Sequence, residues 1–138
     1  MKSLRILAAA LALTLAVPSL APSPALAHGR DIGPHGGLQV HAGPLHAELV
    51  VQDRTVTVYV YTIKDEPIAM DGGTGTATVL AGGKTERIEL KPAGGNAIAG
   101  TGTFTPTDDM RVVVSVTPPG QSAVSARYDL SKLKKAGS

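Results

Sequence analysis

Residues 45–62 read LHAELVVQDRTVTVYVYT, and this stretch decides the fold class. Apolar side chains occupy every second position in both halves, which is the period of a β-strand that buries one face. Gln52-Asp53-Arg54 separates the halves and suits a tight hairpin connection. The stretch therefore predicts two antiparallel strands, Leu45–Val51 and Thr55–Thr62.

The same alternation recurs along the rest of the chain, punctuated by turns rich in glycine and proline. We expect further strands at Gly75–Leu80, Thr85–Leu90, Ala97–Phe104, Arg111–Thr117 and Ala123–Tyr128, with additional short ones at Leu38–His41 and Ile68–Met70. About seven short antiparallel strands at such spacing predict an all-β fold, namely a single immunoglobulin-like β-sandwich, with a small barrel as the alternative. No segment after the first 27 residues has the length and period of a helix.

Residues 1–27 have the features of a secretory signal peptide. Lys2 and Arg5 give a positive start, an apolar run follows over 6–17, and Ala25-Leu26-Ala27 is a small-x-small cleavage site. The apolar run is too short to form a stable membrane anchor. We therefore expect a periplasmic protein that begins at His28 and is not inserted in the membrane.

The expected mature chain divides into three parts. An irregular arm covers residues 28–37, the β-sandwich domain covers 38–130, and a basic tail covers 131–138. Loss of the leader lowers the number of basic residues from 13 to 11, which equals the number of acidic residues. This balance gives no reason to expect nucleic acid as a partner. The chain has no cysteine, so disulfides and thiolate ligands are excluded.

All four histidines lie between residues 28 and 46, at His28, His35, His41 and His46. An N-terminal histidine can chelate a metal through its α-amine and its ring, and such a nitrogen pair suits Cu(II). His41 and His46 flank Ala42-Gly43-Pro44, and a turn there would bring the two rings together. Glu48 shares a strand face with His46 and could add an oxygen ligand. These five residues are the predicted ligands of a copper or zinc ion.

Each candidate also has an ordinary structural interpretation. His28 can be a frayed terminus, and His35 can be a solvated residue of a loop. His41 can be a solvent-facing residue at a strand end. The pattern His46-x-Glu48 is common on the solvent-facing (wet) face of an edge strand. The histidine spacing matches no zinc-finger or metalloprotease rule. No nucleophile elbow, phosphate loop or dinucleotide fingerprint is present, so we predict a protein that is not an enzyme. A copper-dependent oxidase built on His28 is a distant third hypothesis, after the metal-binding accessory protein and the interaction module described below.

Five short segments carry a family resemblance: His35-Gly36-Gly37, residues 46–50, 56–60, 75–84 and 90–96. They resemble a group of small exported bacterial proteins associated with heavy-metal efflux systems. The His-Gly-Gly and His-x-Glu-Leu segments are also similar to the N-terminal region of periplasmic adaptor subunits of heavy-metal efflux pumps. Members of the group often carry more histidines at the mature N-terminus than this chain does.

The resemblance spans about residues 34–128 and implies a periplasmic β-rich domain that handles copper or another divalent metal for resistance. Periplasmic components of an efflux pump are the partners it implies. Our first hypothesis is thus a periplasmic metal-binding accessory protein. The alternative is a metal-free interaction module that docks on an envelope or efflux partner.

Overall fold

The computed structural model describes residues 32–136, which are all-β apart from one short helix, and so the predicted fold class is confirmed. The two strands predicted from residues 45–62 form a hairpin, with Asp53 of its turn in the left-handed region at φ 53°. The elements are β1 (Leu38–Ala42), β2 (Leu45–Gln52), β3 (Thr55–Thr62), β4 (Thr74–Ala81), β5 (Lys84–Pro92), β6 (Ala97–Thr101), β7 (Arg111–Thr117), β8 (Val124–Asp129) and α1 (Ser131–Ala136).

The eight strands form one antiparallel sheet in the order β1-β2-β3-β6-β5-β4-β7-β8. β5 connects its two halves, because its first seven residues pair with β4 while Lys91 and Pro92 pair with β6. The terminal strands β1 and β8 lie against each other without pairing as neighbours, so the sheet curls into a nearly closed barrel. The arrangement is closer to the small-barrel alternative than to a sandwich of two separate sheets.

The interior of the barrel is filled by small aliphatic side chains from alternate strand positions. Val56, Val58 and Val60 of β3 are fully buried, as the alternation predicts. Near the seam, the Tyr128 hydroxyl of β8 donates to the Ala47 carbonyl of β2 at 2.9 Å. This bond links the two ends of the sheet where no backbone ladder joins them.

Three local expectations differ from the structure. Residues 68–70 form no strand, because the segment pairs with β3 only through single contacts such as the Pro67–Tyr61 bridge. The strand predicted to reach Phe104 ends at Thr101. Within the predicted basic tail, residues 131–136 form α1, a helix too short for its period to show in the sequence.

The start of α1 is fixed by a side chain from the preceding strand. Asp129 accepts hydrogen bonds from the Ser131 N–H at 3.1 Å and the Ser131 hydroxyl at 2.6 Å, and these bonds hold the pKa of the Asp129 carboxyl below its usual value. Within residues 32–136, no helix is long and apolar enough to span a membrane.

Candidate metal site

The hairpin between β1 and β2 brings two of the predicted ligands together. His41 and His46 are direct cross-strand partners, separated by a turn in which Gly43 has φ 58°. The left-handed φ explains why glycine occupies this position. The predicted approach of the two rings is confirmed. We call these two residues the histidine pair.

The rings of the histidine pair touch through their nitrogen atoms. His46 Nε2 lies 3.1 Å from His41 Nδ1, and the rings meet edge to face with centroids 4.4 Å apart. The His41 side chain is exposed, whereas that of His46 is 14% exposed. The pair therefore presents one ring to solvent and one ring anchored in the sheet face.

Asp65 anchors the inner ring. Its Oδ1 atom lies 2.8 Å from His46 Nδ1 and also accepts a hydrogen bond from the Gln39 side-chain amide at 3.0 Å. A carboxylate accepts only, so in a neutral His46 ring the proton lies on Nδ1 and the lone pair on Nε2. A carboxylate that holds the far nitrogen of a ligating histidine in this way is the usual second sphere of a metal site.

The predicted ligands do not include Asp65, which lies in the turn that follows β3. The residue has φ 62°, and the left-handed conformation directs this turn back toward β2. Its contact with His46 spans 19 residues of sequence. The signal for Asp65 in the sequence is an acidic turn after β3, the strand that pairs with β2. Acidic turns of this kind are common in β-proteins, so this one does not single out Asp65.

Glu48 is used differently from the prediction. Its side chain is fully buried, and its Oε2 atom accepts hydrogen bonds from the backbone N–H groups of His35, at 2.8 Å, and Gly37, at 3.0 Å. Its Oε1 atom lies 2.8 Å from His35 Nδ1. Glu48 is thus covered by the loop of residues 33–37, hereafter the covering loop. The wet-face interpretation of Glu48 is wrong, because β2 is an inner strand and the covering loop excludes solvent from this side chain.

The covering loop is shaped by its glycines. It closes on itself through hydrogen bonds from Gly33 N–H to the Gly37 carbonyl, at 2.8 Å, and from Gly36 N–H to the Gly33 carbonyl, at 3.0 Å. A Cβ atom at Gly33 would collide with the Glu48 carboxyl, and one at Gly37 would collide with the Leu49 carbonyl. Small residues at these two positions let the backbone approach close enough to donate to Glu48.

His35 belongs to the same cluster as Glu48. Its ring stacks on Tyr59 with centroids 3.6 Å apart and planes 5° from parallel, and its Nδ1 atom lies 3.3 Å from the Tyr61 hydroxyl. Burial raises the pKa of Tyr61, and the nearby Glu48 charge also raises it, against a hydrogen bond with Asn96 that lowers it. His35 therefore fastens the covering loop to the sheet and does not face the histidine pair.

The structure thus divides the five predicted ligands. His41 and His46 meet each other, His35 and Glu48 meet each other, and His28 lies outside the described residues. In the described part of the chain, no group of three or more histidine, cysteine, aspartate or glutamate side chains is placed to hold a metal ion. The candidate site consists of two imidazole nitrogens and the carboxylate that orients one of them.

Comparisons with known proteins give no further guide to this site. No protein-family model matches the chain, and searches among curated proteins and among solved structures also give no match.

Proposed function

We propose that this chain is a periplasmic accessory protein that binds a copper or zinc ion through His41 and His46 and serves heavy-metal resistance. The carrying observation is the histidine pair itself, in which His46 Nε2 faces His41 Nδ1 at 3.1 Å while Asp65 holds the opposite nitrogen of His46. The leader at residues 1–27 is the basis for the periplasmic location, and the family resemblance is the basis for the link to resistance.

The separation of the two nitrogens fits ligation of one metal. Imidazole nitrogens that bind zinc at about 2.0–2.1 Å lie roughly 2.9–3.4 Å apart when the ligand angle is between a right angle and tetrahedral. The observed 3.1 Å falls inside this range. Without metal this contact is a hydrogen bond that His41 Nδ1 donates to His46 Nε2, so ligation requires the His41 proton to move to its Nε2 atom. Imidazole is a preferred ligand of both copper and zinc, so the donor chemistry fits as well as the spacing.

Each neighbouring group has a distinct task in this proposal. Asp65 keeps the proton on His46 Nδ1, so that Nε2 offers its lone pair. His41 lies on the edge strand β1 with its ring exposed, which gives an ion access from solvent. Glu48 and His35 hold the covering loop and leave the metal to the histidine pair. His28 stays a predicted further ligand.

The interaction module remains a second candidate because of one exposed surface on β4, β5, β7 and β8. Arg87, Arg111 and Arg127 are exposed on β5, β7 and β8, and the side chains of Leu80 and Val113 are also exposed, by 44% and 36%. The cross-strand register places Arg87 and Arg127 in one row with Val113. Asp129 lies opposite Arg111 in the register, so the excess positive charge comes from Arg87 and Arg127 beside Val113. Arginine side chains beside an apolar one suit an anionic partner.

A competition titration tests metal binding. The processed protein is titrated with Cu(II) and with Zn(II) in the presence of a chelator of known affinity, and we expect stoichiometric binding that His41→Ala and His46→Ala each abolish. His35→Gln is the matched control, because it removes an imidazole from the cluster around Glu48 and leaves the histidine pair intact. Binding no stronger than that of a free peptide of residues 28–48 would leave the interaction module as the surviving candidate.

Asp65→Asn tests the orienting role. Asparagine tolerates the left-handed φ of this position, so the turn is retained while the charge is lost. Loss of an outer-sphere partner lowers metal affinity by about 10–100-fold, and we expect a decrease near the lower end because the amide oxygen can still accept from His46. X-ray absorption should count the same number of imidazole ligands in both proteins. A variant that loses a ligand would show that Asp65 binds the metal directly.

A further inference from the structure

The histidine pair supplies only part of a coordination sphere. Zinc in protein sites takes four ligands in a tetrahedron, and the described residues bring two imidazole nitrogens to this point. The nearest carboxylates have other roles, since Asp65 Oδ1 accepts from His46 and Gln39 while Glu48 accepts from the covering loop. Two ligand positions therefore have to be filled from elsewhere.

The place of the histidine pair in the fold favours filling them from a second molecule. Both residues lie at the turn end of the β1–β2 hairpin, and β1 is a terminal strand of the sheet. The adjoining turn carries Ile63, which has 62% of its surface exposed and lies two residues from Asp65. His41 is exposed and His46 is partly exposed, and together with Ile63 they can be reached by a partner surface.

We infer that two copies of this chain assemble around one Zn(II) ion, with His41 and His46 of each copy as its four ligands. The inference rests on the proposed function and names the partner of that same site. A twofold axis through the ion makes the interface isologous, so that one surface patch with two donors is sufficient. Four imidazoles in a tetrahedron complete a closed zinc site without any additional residue.

The charges also balance in this arrangement. Four neutral imidazoles leave the two positive charges of Zn(II) uncompensated, and a charged ion in a partly dehydrated interface needs counter-charge. The Asp65 carboxylate behind His46 in each copy supplies two negative charges in total. The two Ile63 side chains come from the turns that carry these carboxylates, so they can add apolar contact beside the metal.

Mass and metal stoichiometry measured on the same sample test this inference. Sedimentation equilibrium of the processed protein should give a monomer without metal and a twofold increase in mass at half an equivalent of Zn(II) per chain. A chelator should reverse the increase. His46→Ala should abolish both the half-equivalent binding and the mass change, whereas His35→Gln should retain them.

Two further variants separate the interface from the ligands. Ile63→Glu places like charges at the contact, so it should weaken the dimer while each chain still binds Zn(II). The dimer gives His28 no ligand role, in contrast to the prediction from the sequence. His28→Ala should therefore leave the half-equivalent stoichiometry unchanged, because the ligands come from the second copy. Retention of dimer strength in Ile63→Glu would overturn the placement of this turn at the interface.

The outcomes distinguish this inference from the proposed function. One Zn(II) per chain with no change in mass overturns the metal-bridged dimer and leaves the metal-binding function standing. In that case, a loss of affinity in His28→Ala would assign the added ligand to the N-terminal arm. Absence of Zn(II) and Cu(II) binding overturns both proposals. A dimer that forms without metal, or in His46→Ala, overturns the bridge alone.

Discussion

Glu48 and His46 lie two residues apart on the same face of β2, yet their surroundings differ completely. Glu48 is fully buried and accepts two backbone hydrogen bonds, with His35 Nδ1 beside its other oxygen. His46 keeps 14% of its side chain exposed, and its Nε2 atom contacts the ring of His41, which is itself exposed. One polar side chain is a structural anchor, and the other is a candidate ligand.

The covering loop makes this difference. It crosses the sheet face above Glu48, while the histidine pair lies beyond it at the turn end of the hairpin. A buried carboxylate is costly unless its oxygens are hydrogen-bonded, so Glu48 and the covering loop depend on each other. Glu48 can therefore lose these hydrogen bonds only if the covering loop unfolds. The comparison predicts that changes at Glu48 affect stability and that changes at the histidine pair affect binding.

The largest effect is expected at Glu48. Glu48→Ala leaves the backbone N–H groups of His35 and Gly37 without their acceptor. Each buried donor left without a partner costs about 1–3 kcal/mol, so the two together cost about 2–6 kcal/mol. Glu48→Gln keeps one acceptor oxygen and should cost less, about 1–3 kcal/mol. Equilibrium unfolding in urea measures both values. A Glu48→Ala protein of normal stability that has lost Zn(II) binding would make Glu48 a ligand and remove the contrast.

The next effect concerns the close approach of the covering loop. Gly37→Ala forces a Cβ atom against the Leu49 carbonyl, and overpacking of this kind costs about 1–3 kcal/mol. Gly36→Asn is the control, because its Cβ atom meets open space and asparagine tolerates the left-handed φ of 78°. The urea midpoint should fall more for Gly37→Ala than for Gly36→Asn. The opposite order would mean that the loop does not press on β2.

Tyr128 is expected to make the stability of the fold depend on pH in the alkaline range. Burial raises the pKa of the Tyr128 phenol well above its ordinary value, and the charge on Glu48 raises it further. An unfolded tyrosine ionises near pH 10, so above that pH the unfolded state loses this proton first. The stability linked to Tyr128 is therefore complete below about pH 10 and is lost as the pH rises beyond it.

Tyr128→Phe is the matched variant for this pH effect. It removes the hydrogen bond to the Ala47 carbonyl, which should cost about 1 kcal/mol near neutral pH, and it removes the ionisable group. Thermal unfolding scans between pH 8 and pH 11 should thus show a shallower decline for the variant than for the parent chain. Equal declines would show that other groups dominate alkaline unfolding.

The smallest stability effect is expected at His41. Its ring is exposed on an edge strand, and substitutions at such positions usually change the free energy of unfolding by less than about 0.5 kcal/mol. His41→Ala should therefore unfold at nearly the parent urea concentration, although metal binding is lost. A loss of stability comparable to that of Glu48→Ala would place His41 among the structural residues instead.

Much of the fold could be predicted from residues 45–62 and the strands that follow. Alternation in β3 predicts Val56, Val58 and Val60 in the core, and the turn at Gly43-Pro44 predicts that His41 and His46 face each other. Both features depend on residues close together in the chain. The short helix α1 was missed, because six residues are too few for a helical period to show.

The roles of Glu48 and Asp65 could not be predicted in this way. The alternation places Glu48 on the outer face of β2, which is correct, but only the covering loop makes that position buried. Asp65 becomes the partner of His46 across 19 residues, and nothing in the sequence near either residue indicates the contact. The approach of His41 and His46 was therefore predicted from the sequence, and the carboxylate beside His46 was missed.

The sequence by itself determined the all-β class, the first hairpin and the histidine pair, because strand alternation and tight turns are set by neighbouring residues. Only the tertiary structure decided that the sheet curls into a nearly closed barrel, in which the Tyr128 hydroxyl donates a hydrogen bond to the Ala47 carbonyl across 81 residues of sequence. It also decided that Glu48 is an anchor and that His46 is oriented by Asp65. Burial and long-range hydrogen bonds depend on which segments cover which faces, and that choice is made by the free energy of the whole chain.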